Sequence, residues 1–461
     1  MVFASLVFLY LFLPLNLAFY YASKNEVWRN LVLVVFSLFF YAWGEPIWIS
    51  LLLASTLFDY SVARVIARVR GTGWARVALV ASLGVNLGLL GTFKYAGFVV
   101  DTVNGLAGTQ LSAPGFALPI GISFYTFQSI SYVIDVYRGE VVAQRSYLKF
   151  LMFVSLFHQL VAGPIVRYSH IASEIDHRTE TLSDFSAGIT RLCIGLFKKV
   201  VIANVAGELV KRYLDADVGR LTVGEGWFGL ACYTLQIYFD FSGYSDMAIG
   251  LGWMFGFHYH ENFAHPYVAR SVTEFWRRWH ISLSTFFRDY VYIPLGGKER
   301  WPYRNLFIVW GLTGLWHGAS WNFVLWGLYY GLFIALERLA LRRVLERLPR
   351  LLQHAWLLLV VMLGWALFYF TDLHRLGAFL RLVFGLSGAA LVGPDLAGVL
   401  REHVFWLGMA VALCTPVAHA LRKRFEARPN ALALAANLVI VLVATALLVG
   451  KSYNPFIYFR F

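Results

Sequence analysis

The chain has 461 residues, of which 59% are hydrophobic and only 14% are charged. Soluble globular domains carry about 25% charged residues, so this composition excludes an ordinary soluble domain and indicates an integral membrane protein. The formal charge of +13 lies mainly in short loops between apolar segments, which is typical of cytoplasmic loops in membrane proteins. We therefore expect no nucleic-acid binding.

Apolar segments long enough to span or nearly span a bilayer follow one another along the chain. They predict an all-α, polytopic membrane protein with about eleven transmembrane helices, plus or minus two because several segments are short or interrupted, in a single domain over residues 1–461. The segments are 1–21, 30–43, 47–63, 77–99, 117–136, 147–165, 188–207, 226–256, 305–337 (read as a hairpin), 355–371, 404–420 and 432–450.

The basic residues also predict the orientation, because Lys and Arg accumulate in cytoplasmic loops. The loop Asp101–Phe116 has neither residue and is predicted to lie outside. Segment 376–393 is not expected to cross, and both termini are predicted to be periplasmic. The blocks placed in the cytoplasm are Arg64–Arg76, the partly interfacial region 257–304, Arg338–Arg350 and Arg422–Arg428.

Glycine and proline interrupt two apolar segments, 119–125 and 158–164. Such breaks are tolerated in a membrane where the backbone packs on protein or lines a cavity. Both interpretations stay open for His158, which begins the second segment.

Two carboxylates, Asp240 and Asp246, interrupt the apolar stretch 237–248. Residues six apart do not share a helical face, which argues against a paired-carboxylate catalytic dyad. Each could orient an imidazole or pair with a basic residue, and structural support is the favoured interpretation.

Residues 273–284 combine charge, indole and imidazole. At helical spacing, Glu274 meets Arg277 and Arg278, while Trp276, His280 and Ser284 form a second stripe. An interfacial helix with snorkelling arginines explains the tryptophan and the arginines. It does not require His280, which we therefore treat as a candidate functional residue.

His317 lies within the apolar stretch Asn305–Leu336, which contains no Asp, Glu, Lys or Arg. Ionisable groups inside membranes are costly and usually functional, and imidazole exchanges protons near neutral pH. A histidine hydrogen-bonded in the core is the structural alternative. His317 is the leading candidate for a buried proton-transfer group.

Taken together, these motifs resemble the membrane-bound O-acyltransferase family, in particular its bacterial branch that acetylates exopolysaccharides. One departure is the run Phe157–Leu160, where relatives usually carry Pro-His-Leu. The residues that carry the resemblance are PIGISFYTFQSISYVIDVYRG at 119–139, Ala162–Pro164, FDFSGYSDMAIGLG at 239–252, EFWRRWHISLS at 274–284, GLWHG at 314–318 and NPFIYF at 454–459.

The resemblance implies a ring of transmembrane helices around a central tunnel, with interfacial and re-entrant helices, in the bacterial inner membrane. His317 matches one family histidine and His280 the other. His317 would be the general base, and His280 would orient the donor or stabilise charge on the thioester oxygen. Further donor-binding candidates are Arg277, Arg278, Trp276, Ser284, Asp240 and Asn322.

The implied reaction moves an acetyl group from a cytoplasmic thioester, such as acetyl-CoA, to an exported polysaccharide such as alginate. We expect membrane lipid around the protein and a periplasmic acetyltransferase as its partner. A thioester is already activated, so we expect no metal and no bound cofactor.

Two alternatives stay open: transfer of a long acyl chain to lipid or protein, and a proton-coupled secondary transporter in which His317 and Asp240 relay protons. Transporters often show repeat symmetry, and no internal repeat is visible in the sequence.

Overall fold

The computed structural model describes residues 1–161, 163–417, 420, 423, 431–450 and 456–457. Every regular element in these ranges is helical, as predicted. Most of the basic block Arg422–Arg428, most of the closing motif 454–459, and Ala162 lie outside the described residues. The α-helices are α1 (Leu13–Tyr21), α2 (Glu26–Ala42), α3 (Ile49–Arg68), α4 (Gly73–Leu90), α5 (Ala96–Ala107), α6 (Ile122–Arg138), α7 (Tyr147–Ser155), α8 (Phe157–Leu160), α9 (Tyr168–Asp176), α10 (Leu182–Phe197), α11 (Asn204–Tyr213), α12 (Val223–Met254), α13 (Val272–Arg278), α14 (Ile281–Phe287), α15 (Pro302–His317), α16 (Trp321–Leu336), α17 (Arg342–Leu345), α18 (Arg350–Tyr369), α19 (Leu373–Val383), α20 (Pro394–Glu402), α21 (Val404–Leu413) and α22 (Ala431–Leu448).

Wider π-helical turns and short 3₁₀ turns connect or extend several of these helices. The π-helical turns are Phe8–Phe12, Gly91–Tyr95, Lys198–Ala203, Arg288–Tyr292 and Glu337–Leu341, and the 3₁₀ turns are Val218–Arg220 and Pro266–Val268. Within the described residues, each apolar segment taken from the sequence overlaps a helix or a pair of helices, and α5 extends through 101–107, which were predicted to begin an outside loop.

Five helices in the described ranges are long and apolar enough to cross a membrane, or six if α20 and α21, bent by 64°, form one span. Several other predicted spans are shorter, such as α2 and α6 with 17 residues each. Segment 376–393 begins within the 11-residue helix α19, which is too short to cross a bilayer. The helices that meet both criteria of length and composition are Ile49–Arg68, Gly73–Ala107, Trp321–Leu345, Arg350–Tyr369 and Ala431–Leu448.

The chain divides into two compact units. Unit 1 consists chiefly of Met1–Leu192 and Met247–His260, and unit 2 chiefly of Cys193–Asp246 and Glu261–Leu447.

In unit 1, a buried carboxylate joins neighbouring helices. Asp59 on α3 accepts hydrogen bonds from Ser82 Oγ (2.7 Å) and Asn86 Nδ2 (2.9 Å) on α4. Burying a charge is costly unless donors satisfy it. The polar residues of these apolar helices therefore face each other and fix how α3 and α4 pack.

The two interrupted segments of the sequence lie against each other in unit 1. Gly121 has a φ of 79°, and α6 begins directly after it. A Cβ at Gly121 would lie 2.9 Å from the carbonyl oxygen of Leu160. This close backbone approach explains why glycine stands at the break.

Unit 2 is built around the predicted helical hairpin, which the structure confirms as α15 and α16. Gly314 and Gly327 face each other across it, so that an added Cβ on either would overlap a backbone carbonyl of the other helix. Small residues allow this approach of backbones. Helix α18 packs on α16, and the short helix α13 contacts both.

Candidate active site

His317 is the last residue of α15, and the chain turns directly after it. Gly318 is extended, with φ −170°, and α16 begins at Trp321. The imidazole is only 4% exposed. Its ring packs edge-on against Trp326 and Phe368, with centroid distances of 4.9 and 5.2 Å.

Asn322 holds the second of these rings in place. Its Nδ2 donates to the carbonyl oxygens of Leu367 (3.2 Å) and Phe368 (3.3 Å) at the end of α18. The amide nitrogen therefore links the start of α16 to α18, beside His317.

His280 lies between α13 and α14 and has a left-handed backbone, with φ 43° and ψ 55°. The prediction of one continuous helix through 273–284, with Trp276, His280 and Ser284 on one stripe, is therefore wrong. The physical reason is Asn262. Its carbonyl oxygen accepts from Ile281 N (3.0 Å) and its side-chain oxygen from Ser282 N (3.1 Å), so these amides bond outside the helix.

The structure brings the two candidate histidines together around one indole ring. Trp316 contacts His280 and His317, with ring centroids 5.6 and 4.9 Å away. Trp276 packs on Trp326 (5.5 Å), which in turn contacts His317. Aromatic rings of this cluster thus separate and orient the imidazoles in a largely apolar environment.

The two predicted donor-binding arginines differ in their surroundings. Arg277 is exposed, whereas Arg278 is half-buried. Arg278 forms the predicted i,i+4 pair with Glu274 (Nη2 to Oε1, 2.8 Å) and also donates to the carbonyl oxygen of Ala264 (3.1 Å). Ser284 Oγ donates to the carbonyl oxygen of Trp276 (3.4 Å), which ties α14 to α13.

Asp240 and Asp246 each pair with one of two consecutive lysines. Lys199 Nζ lies 2.6 Å from Asp240 Oδ1, and Lys198 Nζ lies 2.6 Å from Asp246 Oδ2. All four side chains are largely buried. The aspartates therefore pair with basic residues, which was one of the two predicted roles.

His158 belongs to unit 1. Its Nδ1 lies 2.8 Å from the hydroxyl oxygen of Tyr259, and the side chain is fully buried. The rings of Phe157, Phe255 and Phe257 pack around it. The contacts described for this histidine are those of a core residue.

Glu337 is a buried carboxylate that the sequence did not single out. Its Oε1 accepts from Val272 N (2.6 Å), and its Oε2 accepts from Thr273 N (2.9 Å) and Thr273 Oγ1 (2.6 Å). These amides belong to the first turn of α13, where a helix leaves its N–H groups unsatisfied and favours negative charge. Glu337 thus fixes the helix that leads to His280 against the end of α16.

Replacing Glu337 with alanine is expected to destabilise unit 2. The buried amide of Val272 and the partly buried amide of Thr273 would lose their acceptor, at about 1–3 kcal/mol for a buried unsatisfied group. The thermal unfolding temperature of purified protein should fall. It should fall less for Glu337→Gln, which keeps one acceptor oxygen.

Glu346→Ala serves as the control for this measurement, because Glu346 forms an exposed pair with Arg342. An unfolding temperature of Glu337→Ala equal to that of the control would contradict the proposed clamp on α13.

Four residues around the candidate site were missed from the sequence. Lys198 and Lys199 carried a signal, since two adjacent lysines in an apolar segment require buried counter-charges. Asn262 and Glu337 carried none, because their partners lie 18 and 65 residues away.

Comparison with known proteins identifies the family of this chain. Residues 139–373 match the model of the membrane-bound O-acyltransferase family, and the chain belongs to that family. It is a multi-pass membrane protein and an O-acyltransferase.

Individual relatives match over most of the chain. It is 41% identical, over 493 aligned positions that cover 100% of both chains, to the probable alginate O-acetylase AlgI of Pseudomonas putida. It is 45% identical to the protein of the same name from Pseudomonas aeruginosa, over 80% of this chain and 72% of the relative. Its identity to the peptidoglycan O-acetyltransferase of Helicobacter pylori is 35%, over 85% of this chain and 81% of the relative.

Proposed function

We propose that the chain takes acetyl groups from acetyl-CoA at the cytoplasmic face and delivers them for O-acetylation of an exported polysaccharide such as alginate. The observation that carries this proposal is the pair of buried histidines in contact with one indole ring, Trp316. Similarity over the full length to probable alginate O-acetylases supports the choice of acyl group and polymer.

In the proposed reaction, His317 accepts the proton of an acceptor hydroxyl. The hydroxyl oxygen then bonds to the thioester carbonyl carbon, the C–S bond breaks, and the CoA thiolate leaves and takes up a proton. General-base catalysis typically contributes 10²–10⁴-fold. The surrounding aromatic rings exclude water that would hydrolyse the thioester.

Acetyl-CoA carries several phosphate charges and cannot enter the apolar core, so only its thioester arm would reach His317. Arginine is well suited to bind phosphate. Of the two candidates, the exposed Arg277 is available to a cytoplasmic donor, while Arg278 is already bonded to Glu274.

The proposal includes a single membrane domain over residues 1–461, with about eleven crossing helices in a ring around a central tunnel. Because both termini are proposed to lie on the same side of the membrane, the number of crossings is even, ten or twelve. The proposal also includes a periplasmic acetyltransferase partner that passes the acetyl group to the polymer.

The experiment that tests the function is deletion of the gene and complementation, with ester-linked acetate measured on both the exported polysaccharide and the peptidoglycan. Acetate should disappear from the polysaccharide and return with the wild-type chain. Loss from peptidoglycan alone would contradict the polymer assigned and favour the activity named for the Helicobacter pylori relative.

A second measurement separates the enzyme from a proton-coupled transporter. Sealed membrane vesicles from the complemented strain, which keep the acceptor system, should consume acetyl-CoA equally with and without a proton gradient. Consumption that requires the gradient would contradict the proposed transfer mechanism.

The orientation yields a labelling prediction. Both termini are proposed to be periplasmic and the loops at residues 72 and 298 cytoplasmic, because basic residues stay inside. Thr72→Cys and Lys298→Cys should resist a membrane-impermeant maleimide added to intact cells, and Ser112→Cys should react.

The three native cysteines are buried and give a low background. Labelling of residue 72 or 298 from outside would overturn this orientation.

A further inference from the structure

The side chain of Asn262 has an orientation that its neighbours determine. The backbone N–H of Ser282 can only donate, and it lies 3.1 Å from one terminal atom of Asn262. That atom must therefore be the amide oxygen, since an NH₂ group cannot accept. Ser282 Oγ donates to the same oxygen (2.9 Å), and Asn262 Nδ2 donates to Ser245 Oγ (3.4 Å).

This orientation determines which nitrogen of His280 carries the proton. Nδ1 of His280 lies 3.3 Å from the Asn262 oxygen and 3.4 Å from Ser282 Oγ. The amide oxygen of Asn262 can only accept, so a hydrogen bond between it and Nδ1 requires that Nδ1 donates. The Ser282 hydroxyl gives its hydrogen to Asn262 and therefore has none to donate to Nδ1. The arrangement is satisfied when Nδ1 carries the hydrogen, which leaves a lone pair on Nε2.

We propose that Asn262 is a positioning residue that holds His280 in the Nδ1–H tautomer, so that Nε2 presents a lone pair to the acyl-transfer site. This inference rests on the proposed function, because it specifies how His280 would act there. Neutral His280 then accepts a hydrogen bond or a proton from an N–H or O–H group of a substrate. It does not donate to negative charge developing on the thioester oxygen.

The surroundings of the ring agree with this assignment. Asn262 and His280 are each 1% exposed, and Nε2 has no hydrogen-bond partner within the part of the chain that the structure describes. Burial lowers the pKa of His280 to about 3, so the ring is neutral at physiological pH. Its described neighbours, Asn262, Ser282, Phe241 and Trp316, carry no charge.

Asn262 also fixes where the ring stands. Its carbonyl oxygen bonds Ile281 N, and its side chain bonds Ser282 N, on the two residues that follow His280. Left-handed backbone at a residue other than glycine costs free energy and persists only where the surroundings impose it. Asn262 thus stabilises both the left-handed turn at His280 and the tautomer that carries the hydrogen on Nδ1.

The test compares three variants in acetyl-CoA consumption by the purified full-length protein, supplied with a soluble hydroxyl acceptor, between pH 5.5 and 8.5. Asn262→Leu removes the acceptor, so turnover should fall about 10²-fold, within the range for acid–base groups. Asn262→Asp keeps an acceptor toward Nδ1 and should stay active near pH 8.

A carboxylate beside an imidazole favours its protonated form and raises the pKa of His280. The ratio of Asn262→Asp to wild-type turnover should therefore fall as the pH is lowered, because protonation removes the lone pair. Ser282→Ala is the matched control: it removes the neighbouring hydroxyl but leaves Asn262, and it should keep most of the activity.

Wild-type turnover in Asn262→Leu, a ratio for Asn262→Asp that does not change with pH, or equal losses in Ser282→Ala and Asn262→Leu would each overturn the inference. If Asn262→Leu does not accumulate, the pH ratio of Asn262→Asp decides. Measuring His280→Ala alongside distinguishes a failure of the proposed function from a failure of the tautomer assignment. Full activity of His280→Ala removes His280 from the proposed function, whereas an inactive His280→Ala with an unchanging ratio contradicts only the tautomer assignment. If the purified wild type consumes no acetyl-CoA, polymer acetylation in cells carrying Asn262→Leu or Asn262→Asp decides the role of Asn262.

Discussion

Replacing His317 with alanine is expected to abolish acetylation of the polymer while the protein still folds and inserts. The ring is enclosed by Trp316, Trp326 and Phe368, so it lies in a site from which bulk water is largely excluded. Loss of a general base costs about 10²–10⁴-fold in rate. Ester-linked acetate on the polysaccharide should therefore fall to the level of the deletion strain.

Two further variants make this result specific. His317→Gln keeps polarity and much of the volume but cannot take up a proton at neutral pH, and it should be as inactive as the alanine variant. His177→Ala removes a histidine whose side chain is 86% exposed and should acetylate normally. Wild-type acetylation in His317→Ala, at equal protein level in the membrane, would rule out His317 as the base.

Much of the fold was accessible from the sequence because apolar length and glycine position are local signals. The hairpin over 305–337 was predicted, and Gly318 and Ser320, which disfavour helix, stand where the chain turns after His317. The pairing of Glu274 with Arg278 followed from spacing alone.

The environment of His280 could not be predicted in the same way. Helical spacing placed it on a continuous helix, but Asn262, 18 residues earlier, takes the amide protons of the next two residues. Glu337 acts on α13 from 65 residues away. Such long-range hydrogen bonds follow from tertiary packing, which overrides the local preference for a helix.

Tertiary packing also decides which glycines allow two helices to approach closely. Gly311 and Gly314 lie on one helix, one turn apart, and Gly314, beside His317, is the one that the sequence favours for a close approach of backbones. Among the described residues, no atom beyond the adjoining backbone of its own helix lies within 4 Å of a Cβ added to Gly311, while a Cβ on Gly314 would overlap the carbonyl oxygen of Phe323. Only Gly314 therefore faces the partner helix of the hairpin.

Gly314→Ala is accordingly expected to separate α15 from α16 and to inactivate the protein. Overpacking typically costs about 1–3 kcal/mol, and here the obstacle is backbone, which cannot rotate away as a side chain can. Since His317 lies one turn after Gly314, the displacement also moves the imidazole relative to Trp326 and Phe368. The unfolding temperature and acetyl transfer should both fall.

Gly311→Ala adds the same methyl group to the same helix, at a position where the described neighbouring helices leave space for it. Glycine within a helix is less stable than alanine by roughly 0.5–1 kcal/mol, so this variant should be as stable as the wild type or slightly more stable, and fully active. Gly327→Ala should behave like Gly314→Ala, because its Cβ would overlap the carbonyl oxygen of Trp310 on the facing helix. Equal stability and activity of Gly311→Ala and Gly314→Ala would show that the close approach of α15 and α16 does not hold His317 in place.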